Sequence, residues 1–589
     1  MQLTQYHPQG TQTWAQVLTL PTKQWSRLRL RSFRGMYSVW LGGERVLHAY
    51  SKQPLLGGRL GLAAESTAVA FDDVYVRSVD ELALDGELDA PLLHNGALRG
   101  LTLRNSQAQA HFAKSAEPVA LRSRVRGAER FVELRYHRGS VELVDQYYGD
   151  RRSESFEVES GGRNLELLLI EDSAVAVVGG QLVGVLRDLR NTEPGWSEAD
   201  SGGQRLVTLS VAAHREMPAV DNRVKTFTRE ETMAEFAKPG SEWQSAPYRE
   251  QRIFLHRADF WQNISASVDV TKLPNDAPIG LTLGAGDLPS YEDLAMITLN
   301  QGETSSLHLR TPQWEETVEL DVVPKTLRLE RRDGAVIFWQ DHSLLAVRPV
   351  AANGLARIGR FGGNSAGEKW PEAVAVGAEG VRMYAFKKAP SDWLAASGNW
   401  EMTNRWQCDP RWSFFAGYQL KGAACNWNKL PHGEDVTLDF FVGPKMQQER
   451  GRSYEYAGDM NAVICADGKD IASGYSFMLG GWNNAGSQIV RGKEVLVRNS
   501  RVKVPRDKST HRRWFHVKIR KQGDEIGYWV DGAKVGGIVD PEPLGGRHFG
   551  LWTWNNGMMV AQLQVSTSGR PAPKAMLGEP RTPKTPYDK

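Results

Sequence analysis

Two loops near the end of the sequence combine tryptophan with asparagine. They read Gly480-Gly481-Trp482-Asn483-Asn484 and Trp554-Asn555-Asn556-Gly557. Flat indole faces stack on sugar rings, side-chain amides bond hydroxyl groups, and loops give a ligand easy access to the backbone. The pattern therefore predicts a glycan-binding surface. Its candidate residues are Trp482, Asn483, Asn484, Trp552, Trp554, Asn555 and Asn556.

The same tryptophans have an alternative interpretation as core residues. The chain holds 19 tryptophans, which fits large apolar cores as well as aromatic binding surfaces. Their position beside loops rich in glycine and asparagine favours binding, with Trp482, Trp552 and Trp554 as the expected anchors. Both interpretations stay open at the level of sequence.

Regular strands must position these loops. From Phe515 to Arg520 apolar and polar residues alternate, which is the period of a strand with one buried face. A second alternating run, Ile526 to Val530, meets Asp531-Gly532, a pair that favours the positive φ angles of a tight hairpin turn. The segment therefore predicts a β-hairpin.

The hairpin pattern recurs along the chain. A pair of tryptophans 15 positions apart precedes the turn in the first copy and in the last. The intervals between copies, 137 to 190 residues when measured between Trp40, Val177, Trp339 and Trp529, are too long for solenoid units and suit whole β-sandwich modules. The expected turns lie at Gly42-Gly43, Gly179-Gly180, Asp341-His342 and Asp531-Gly532.

This pattern divides the chain into five parts. Residues 1–85 (module one) are expected to form only the C-terminal half of a sandwich module, because far fewer residues precede their hairpin than precede the hairpin of the last module. Residues 86–222 (module two, diverged), 223–389 (module three) and 390–569 (module four) follow, and residues 570–589 are expected to form a disordered tail rich in proline and lysine. The expected fold class is all-β, a tandem array of jelly-roll antiparallel β-sandwich modules that starts with a half module.

Several of these motifs occur together in a known superfamily. They are the Trp-Val-Asp-Gly hairpin, the Gly-Leu strand after it, the strand Phe71-Asp72-Asp73-Val74-Tyr75-Val76 and the segment Gly398-x-Trp400. In this combination the chain resembles the concanavalin A-like lectin/glucanase superfamily, and within it laminin G-like modules and the bacterial 3-keto-disaccharide hydrolase-type domain. The resemblance implies a jelly roll of two antiparallel sheets with ligands on the concave face or the rim loops.

Acidic residues could serve catalysis in two segments. Glucanases of this superfamily carry Glu-x-Asp-x-x-Glu on one strand, so that alternation puts the carboxylates on one face. The nearest segment, Glu319-Leu320-Asp321-Val322-Val323-Pro324, has proline in place of the third carboxylate. Asp435, Thr437 and Asp439 also share a strand face, without a histidine or third carboxylate beside them. Both are interpreted as solvent-facing strands, and no catalytic residue is predicted.

Cofactors, metals and nucleic acids find little support. Calcium would suit a laminin G-like module, but the candidates Asp72, Asp73, Asp459 and Asp467 lack the spacing of a calcium loop, and no cofactor is predicted. The formal net charge is only +3 over 589 residues, and the basic run from Arg498 to Arg513 is interpreted as a loop rim, so no nucleic-acid partner is expected. No apolar run is long enough to span a membrane.

The expected function is therefore non-catalytic binding of a polysaccharide, glycoconjugate or other surface polymer. An extracytoplasmic location follows from the family resemblance alone. The first alternative is a glycoside hydrolase or lyase, which would need carboxylates or histidines converging in one cleft. The second is a structural subunit whose half module, residues 1–85, is completed by another protein chain.

Overall fold

The structure is a computed structural model, and it describes most of the chain. The described residues are 2–7, 10–15, 28–33, 36–41, 44–50, 81–85 and 97–588, the last range with gaps. The longest gaps are 218–242, 363–373, 404–412, 446–457 and 570–576. The prediction of an all-β chain of antiparallel sandwich modules is confirmed, since nearly every described element is a strand.

The chain forms two compact units. The first comprises residues 1–19, 27–217 and 320–352, and the second comprises residues 20–26, 218–319 and 353–589. Short helical segments occur only as single turns in the described residues, for example Val270–Lys272 and Ile471–Ser473. In that part of the chain no helix is long and apolar enough to cross a membrane.

Module one contributes five described strands to the first unit. One pair forms a two-stranded sheet and the other three form a meander. The strand expected at Phe71–Val76 and the turn at Gly42-Gly43 lie outside the described residues. The strands are β1 (Gln2–His7), β2 (Gly10–Ala15), β3 (Leu28–Phe33), β4 (Met36–Leu41) and β5 (Glu44–Tyr50).

Module two, also in the first unit, is a sandwich of two six-stranded sheets around an apolar core. Its strands are β6 (Glu81–Asp85), β7 (Ala97–Leu103), β8 (Ser106–Phe112), β9 (Val119–Val125), β10 (Arg130–His137), β11 (Ser140–Tyr147), β12 (Asp150–Glu157), β13 (Asn164–Ile170), β14 (Ser173–Val178), β15 (Gln181–Leu186), β16 (Gly195–Asp200) and β17 (Leu206–Ala213). The sheet orders are β12-β11-β10-β9-β16-β7 and β15-β14-β13-β8-β17-β6. The expected boundary after residue 85 is wrong, because β6 pairs with β17 and so belongs to module two.

Module three supplies strands to both units. In the second unit, one seven-stranded sheet has the order β18-β19-β28-β21-β22-β23-β24. In the same unit β20 pairs with β29. In the first unit, β25, β26 and β27 form an antiparallel meander. The strands are β18 (Trp243–Tyr248), β19 (Gln251–His256), β20 (Ile264–Asp269), β21 (Ile279–Ala285), β22 (Ala295–Asn300), β23 (Ser305–Thr311), β24 (Trp314–Leu320), β25 (Thr326–Arg332), β26 (Ala335–Gln340), β27 (Ser343–Pro349), β28 (Ala356–Phe361) and β29 (Val374–Ala378).

Module four lies entirely in the second unit. Its strands are β30 (Val381–Tyr384), β31 (Trp393–Ser397), β32 (Asn399–Thr403), β33 (Phe414–Tyr418), β34 (Ala423–Asn428), β35 (Val436–Pro444), β36 (Met460–Ala466), β37 (Tyr475–Gly480), β38 (Gly486–Arg491), β39 (Glu494–Asn499), β40 (Phe515–Gln522), β41 (Glu525–Val530), β42 (Ala533–Val539), β43 (His548–Trp554) and β44 (Gly557–Thr567). The sequence predicted that this module begins at residue 390. Strand β30 pairs with β44, so the module begins earlier, at or before Val381.

Two sheets enclose the core of module four. The eight-stranded sheet has the order β32-β33-β44-β35-β40-β41-β42, with β30 beside β44, and the seven-stranded sheet has the order β31-β34-β43-β36-β37-β38-β39. Alternation decides which residues enter the core. In β40, Phe515, Val517 and Ile519 are core residues, as their spacing predicts, and the residues between them face outward.

Three of the expected turns are described, and each joins the paired ends of a hairpin, between Val178 and Gln181, Gln340 and Ser343, and Val530 and Ala533. At the fourth position Leu41 of β4 pairs with Glu44 of β5, and the two residues between them lie outside the described part of the chain. In each hairpin the pairing register shifts at the residue that precedes the tip by two positions, namely Trp40, Val177, Trp339 and Trp529. The last tip has the positive φ angles that its sequence favours, 52° at Asp531 and 79° at Gly532.

Candidate functional site

The outer face of the seven-stranded sheet in module four, called the aromatic face below, brings tryptophans and amides together. Strand pairing aligns Cys425 with Trp552, Trp552 with Asn461, Asn461 with Met478, and Met478 with Gln488. Paired residues of neighbouring strands point to the same side of a sheet. One row of side chains across this face therefore contains an indole and two amides.

A second group lies at one end of that row. Trp554 is two residues from Trp552 on β43, so both share the aromatic face. Asp459 comes directly before β36, and its carboxylate accepts hydrogen bonds from Asn461 and Tyr587. Trp482 follows β37 in the turn Gly481–Asn484. It packs against the apolar cluster of the aromatic face, which includes Met478 and Trp552. Asn461 also donates a hydrogen bond to Asp459 across 3.5 Å.

The turn that carries Trp482 is strained. Trp482, Asn483 and Asn484 have φ angles of 48°, 56° and 59°, in the left-handed region that β-carbons disfavour. Asn484 stabilises the turn, because its amide donates to the Val504 carbonyl at 2.6 Å and its oxygen accepts from the Val504 N–H at 3.0 Å. Strain of this kind collects at binding sites, where the surroundings hold it in place.

Several buried polar atoms of the aromatic face have no hydrogen-bond partner among the described residues. They are Asn461 Oδ1, both polar atoms of the Gln488 side chain, Ser476 Oγ and Trp552 Nε1. The side chains of Asn461, Gln488 and Ser476 are fully buried. A buried polar atom without a partner costs about 1–3 kcal/mol, and a hydroxyl group of a ligand could supply the missing hydrogen bond.

Tyr587, near the C-terminus, covers this face. Its ring centroid lies 4.9 Å from that of Trp482, 6.0 Å from that of Trp552 and 5.1 Å from that of Trp554. The Trp482 backbone N–H donates to the Tyr587 hydroxyl at 2.9 Å, and that hydroxyl donates to Asp459 Oδ1. The phenol ring of Tyr587 thus contacts the indole rings of all three candidate tryptophans.

Residues 577–588, the C-terminal segment, are held by a second contact as well. The Asp470 carboxylate accepts from the Lys584 N–H at 2.9 Å and pairs with the Arg581 guanidinium at 2.9 Å. The Ala472 N–H donates to the Lys584 carbonyl at 3.1 Å, and Leu577 packs into the apolar cluster of the aromatic face. The expectation of a disordered tail is therefore wrong for this segment, because its few apolar and hydrogen-bonding groups have partners on module four.

Burial controls the charge of this site. It raises the pKa of Asp459 to about 7, although hydrogen bonds from Tyr587 and Asn461 oppose the shift. Burial and the neighbouring carboxylate also raise the pKa of Tyr587 above its usual range. Near neutral pH the hydroxyl is consequently protonated, and Asp459 is divided between its two protonation states.

The sequence-predicted site residues do not all gather at this face. Trp482 and Trp554 are half-buried, as anchors on a covered surface would be, whereas Trp552 is fully buried and was expected to be exposed. The asparagines serve turns instead of the aromatic face. Asn483 accepts from Arg506 at 3.3 Å, Asn484 bonds Val504, Asn555 accepts from the Gly422 N–H at 2.7 Å, and Asn556 donates to the Gly458 carbonyl at 2.9 Å.

Asn461, Gln488 and Tyr587 are the site residues that sequence reasoning missed, and Asp459 was considered only as a calcium ligand. Asn461 lies between Met460 and Ala462, and Gln488 comes directly before Ile489 and Val490; an amide beside apolar strand residues is the signal that could have identified them. For the C-terminal segment the signal was the spacing of Pro580, Pro583 and Pro586, which are three residues apart. Three residues is the period of an extended polyproline II helix, and a tyrosine follows the last proline.

The outer face of the eight-stranded sheet, called the charged face below, is built differently. The Asp259 carboxylate of module three lies 2.6 Å from Arg357, 2.6 Å from Lys518 and 3.4 Å from Arg520, and it accepts from Thr437 at 2.9 Å. On the same face His516 Nε2 lies 2.7 Å from Asp439. Thr437 and Asp439 are buried, so the expectation that they face solvent is wrong, because module three covers this sheet.

The cations around Asp259 outweigh its burial. Burial alone would raise the pKa of this carboxyl group, but Arg357, Lys518 and Arg520 lower it to about 2. Burial lowers the pKa of Lys518, and the charge of Asp259 opposes that shift. Asp259 is therefore ionised near neutral pH, and its hydrogen bonds with Thr437 and Lys518 join two modules.

The acidic segment that most closely matches the glucanase motif lies at the surface. Glu319 and Asp321, the closest match to the glucanase motif, are both exposed. Among the described residues, no three His, Cys, Asp or Glu side chains form a group that could hold a metal ion. The aromatic face remains the arrangement with binding chemistry.

Comparison with known proteins concerns the fold. No family model matches the sequence, and no curated protein matches it. Among solved structures, the chain is similar to the carbohydrate-binding module CBM66 from Bacillus subtilis, at 17% identity, with 30% of this chain and 96% of that chain covered and a TM-score of 0.23. It is also similar to the Crh5 transglycosylase (11% identity, 32% and 85% covered, TM-score 0.23) and to a protein with a galectin-like fold from Bacillus subtilis (10% identity, 32% and 96% covered, TM-score 0.22).

Proposed function

We propose that module four binds carbohydrate without catalysing its conversion, on the aromatic face. The observation that carries this proposal is the set of unpartnered polar atoms on Asn461, Gln488 and Ser476 beside three tryptophans. A sugar presents an apolar ring face and a rim of hydroxyl groups that donate and accept hydrogen bonds. Those two features match the indoles and the free amide atoms respectively.

The alternative of a glycosidase has less support. Glycosidases of the usual kind need two carboxyl groups on either side of the bond that breaks. At the aromatic face, Asp459 is the carboxyl group that the Tyr587 hydroxyl contacts, and a second carboxyl group is not paired with it among the described residues there. Asp439 and Asp259 form hydrogen bonds on the charged face, on the opposite sheet.

The extracytoplasmic location expected from the sequence belongs to the same proposal, because surface polymers lie outside the cytoplasm.

The test is a glycan array probed with the full chain, followed by calorimetric titration of the best ligand. Trp554→Ala should weaken binding by about 1–3 kcal/mol, roughly ten- to a hundredfold, with little change in melting, because this side chain is half-buried. Trp552→Ala should instead cost about 3–5 kcal/mol of folding stability, since the indole is fully buried.

Trp529→Ala is the matched control. This indole is half-buried in the same module but lies on the eight-stranded sheet, under Arg520 and Lys534. Its removal should leave glycan affinity unchanged. The proposal is wrong if neither the full chain nor its Tyr587→Ala variant binds any glycan, or if Trp529→Ala weakens binding as much as Trp554→Ala does.

A further inference from the structure

The aromatic face already holds a ligand, which is the protein's own C-terminal segment. Tyr587 inserts a six-membered ring among Trp482, Trp552 and Trp554, and its hydroxyl reaches Asp459, which is 8% exposed. A pyranose ring has about the same width as a phenol ring. The contacts of Tyr587 therefore indicate what a sugar would meet in the same place.

We propose that Tyr587 is a tethered ligand that fills, in cis, a subsite for the terminal sugar ring of a glycan. This inference rests on the proposed function and adds two features to it. The first is that the ligand enters as a chain end with a free hydroxyl. The second is that glycan and C-terminal segment exclude each other.

The hydrogen bonds of the Tyr587 hydroxyl define the subsite. This oxygen accepts from the Trp482 N–H at 2.9 Å and donates to the Asp459 carboxylate. A sugar hydroxyl can make both bonds, because it also has one donor and two acceptor positions. An ether oxygen cannot donate, so a ring whose hydroxyl is substituted at this point would leave the Asp459 carboxylate with only the long hydrogen bond from Asn461.

The orientation of the Tyr587 ring indicates which sugar residue of a glycan would fit. The tyrosine hydroxyl lies opposite the bond that connects the ring to the backbone, and this hydroxyl donates to Asp459. In a pyranose linked through C1, the hydroxyl opposite the linkage is that on C4. A ring inside a 1→4-linked chain has no free hydroxyl there, whereas the terminal ring has one.

Tethering makes the C-terminal segment an effective competitor. A segment joined to the domain it binds acts at an effective concentration of millimolar order when its linker is short. The affinity measured for a free glycan is then reduced by the fraction of molecules with an open site. Besides the ring, the segment is held by Arg581 and the Lys584 N–H on Asp470, by the Lys584 carbonyl on Ala472 and by the packing of Leu577.

The experiment compares the full chain with Tyr587→Ala and, as matched control, Thr582→Ala. Thr582 is an exposed residue of the same segment. The probes are neutral oligosaccharides of two to six residues on an array, each with a free terminal C4 hydroxyl or with that hydroxyl methylated. Release of the segment is followed separately, by limited trypsin cleavage after Lys584, whose backbone is bonded to Asp470 and Ala472.

Tyr587→Ala should bind the free-ended glycans about tenfold more tightly or better, and it should be cleaved after Lys584 at least tenfold faster. Thr582→Ala should behave as the wild type in both assays. Methylation should abolish binding to each variant. Saturating glycan should speed cleavage of the wild-type chain.

The outcomes separate the two proposals. If Tyr587→Ala is cleaved faster but no variant binds any glycan, the proposed function fails, and with it this inference. If glycans bind but Tyr587→Ala binds no tighter than wild type, or methylated ends bind equally well, only this inference is overturned. Tyr587→Phe guards against misfolding, since it keeps the ring and removes the hydroxyl; unchanged protection of Lys584 in that variant would contradict the role assigned to the hydroxyl.

Discussion

The two outer faces of module four show two ways to bury polar groups. On the charged face, Asp259 is surrounded by Arg357, Lys518 and Arg520, and its contacts with the last two join module three to module four. On the aromatic face, Asn461 and Gln488 are equally buried but keep atoms without partners among the described residues. Neighbouring protein thus supplies partners to the Asp259 carboxylate, while the C-terminal segment satisfies the polar atoms of the aromatic face only in part.

This difference separates a structural contact from a binding site. A buried ion cluster with all partners present has no capacity left for a ligand, and removing one member leaves the others uncompensated. A buried amide with free donors and acceptors can still gain hydrogen bonds from a ligand. We therefore expect mutations on the charged face to act on stability, and mutations on the aromatic face to act on occupancy.

Asp259→Ala should have the largest effect on stability. Three cations would lose their shared anion, and breaking a buried ionic cluster in this way costs about 3–5 kcal/mol. The measurement is the free energy of unfolding of the second unit, followed in the full chain by urea titration. Glycan binding should survive wherever the chain remains folded.

The control for this change is Asp524→Ala. Asp524 is an exposed aspartate in a turn of the same module, and its loss should cost less than about 0.5 kcal/mol. An equal effect of the two substitutions would show that the cluster around Asp259 contributes no more than a surface charge. The contrast between the two faces would then be wrong.

The sequence predicted those parts of the fold that depend on local pattern. Alternation in β40 identified its core residues, and Asp531-Gly532 identified a turn with positive φ angles, because both are properties of a few adjacent residues. The module boundaries were less accurate. β6 and β30 each pair with a strand far along the chain, and no local pattern specifies a partner at that distance.

The candidate site was predicted only where local sequence pattern identifies its residues. Trp482 and Trp554 could be chosen because loop sequence and residue type both suggest binding. The loop asparagines were assigned to the ligand, but amides in turns commonly bond nearby backbone, as Asn484 does with Val504. Tyr587 and Asp259 reach the module from distant positions, and only the folded chain brings them to it.

An intermediate effect should follow from Asp459 and pH. The pKa of this carboxyl group is about 7 under the C-terminal segment, and it should fall to an ordinary value near 3.9 once water reaches it. The covered state is therefore favoured when Asp459 is protonated. Its stability is fully present below about pH 4, declines as pH rises, and is lowest above about pH 7.

Hydrogen exchange of residues 577–588, corrected for intrinsic rates, measures this dependence. Protection should fall by about tenfold or more between pH 5 and pH 7, a change on the order of 1–2 kcal/mol. Asp459→Asn removes the titrating group and should make protection independent of pH over this range. Protection that rises with pH in the wild-type chain would mean that the carboxylate form holds Tyr587, and the predicted sign of the pH dependence would be wrong.

Arg581→Ala should have the smallest effect. Its ion pair with Asp470 spans 2.9 Å, but the arginine side chain is 51% exposed, and pairs in that setting contribute about 0.2–1 kcal/mol. Protection of residues 577–588 should therefore fall by no more than about fivefold, and less at high salt. Lys584→Ala is the matched control, since it removes the same charge three residues away and should change protection even less. A larger loss from Arg581→Ala than from Tyr587→Ala would show that charge, and not the ring among the tryptophans, holds the segment on module four.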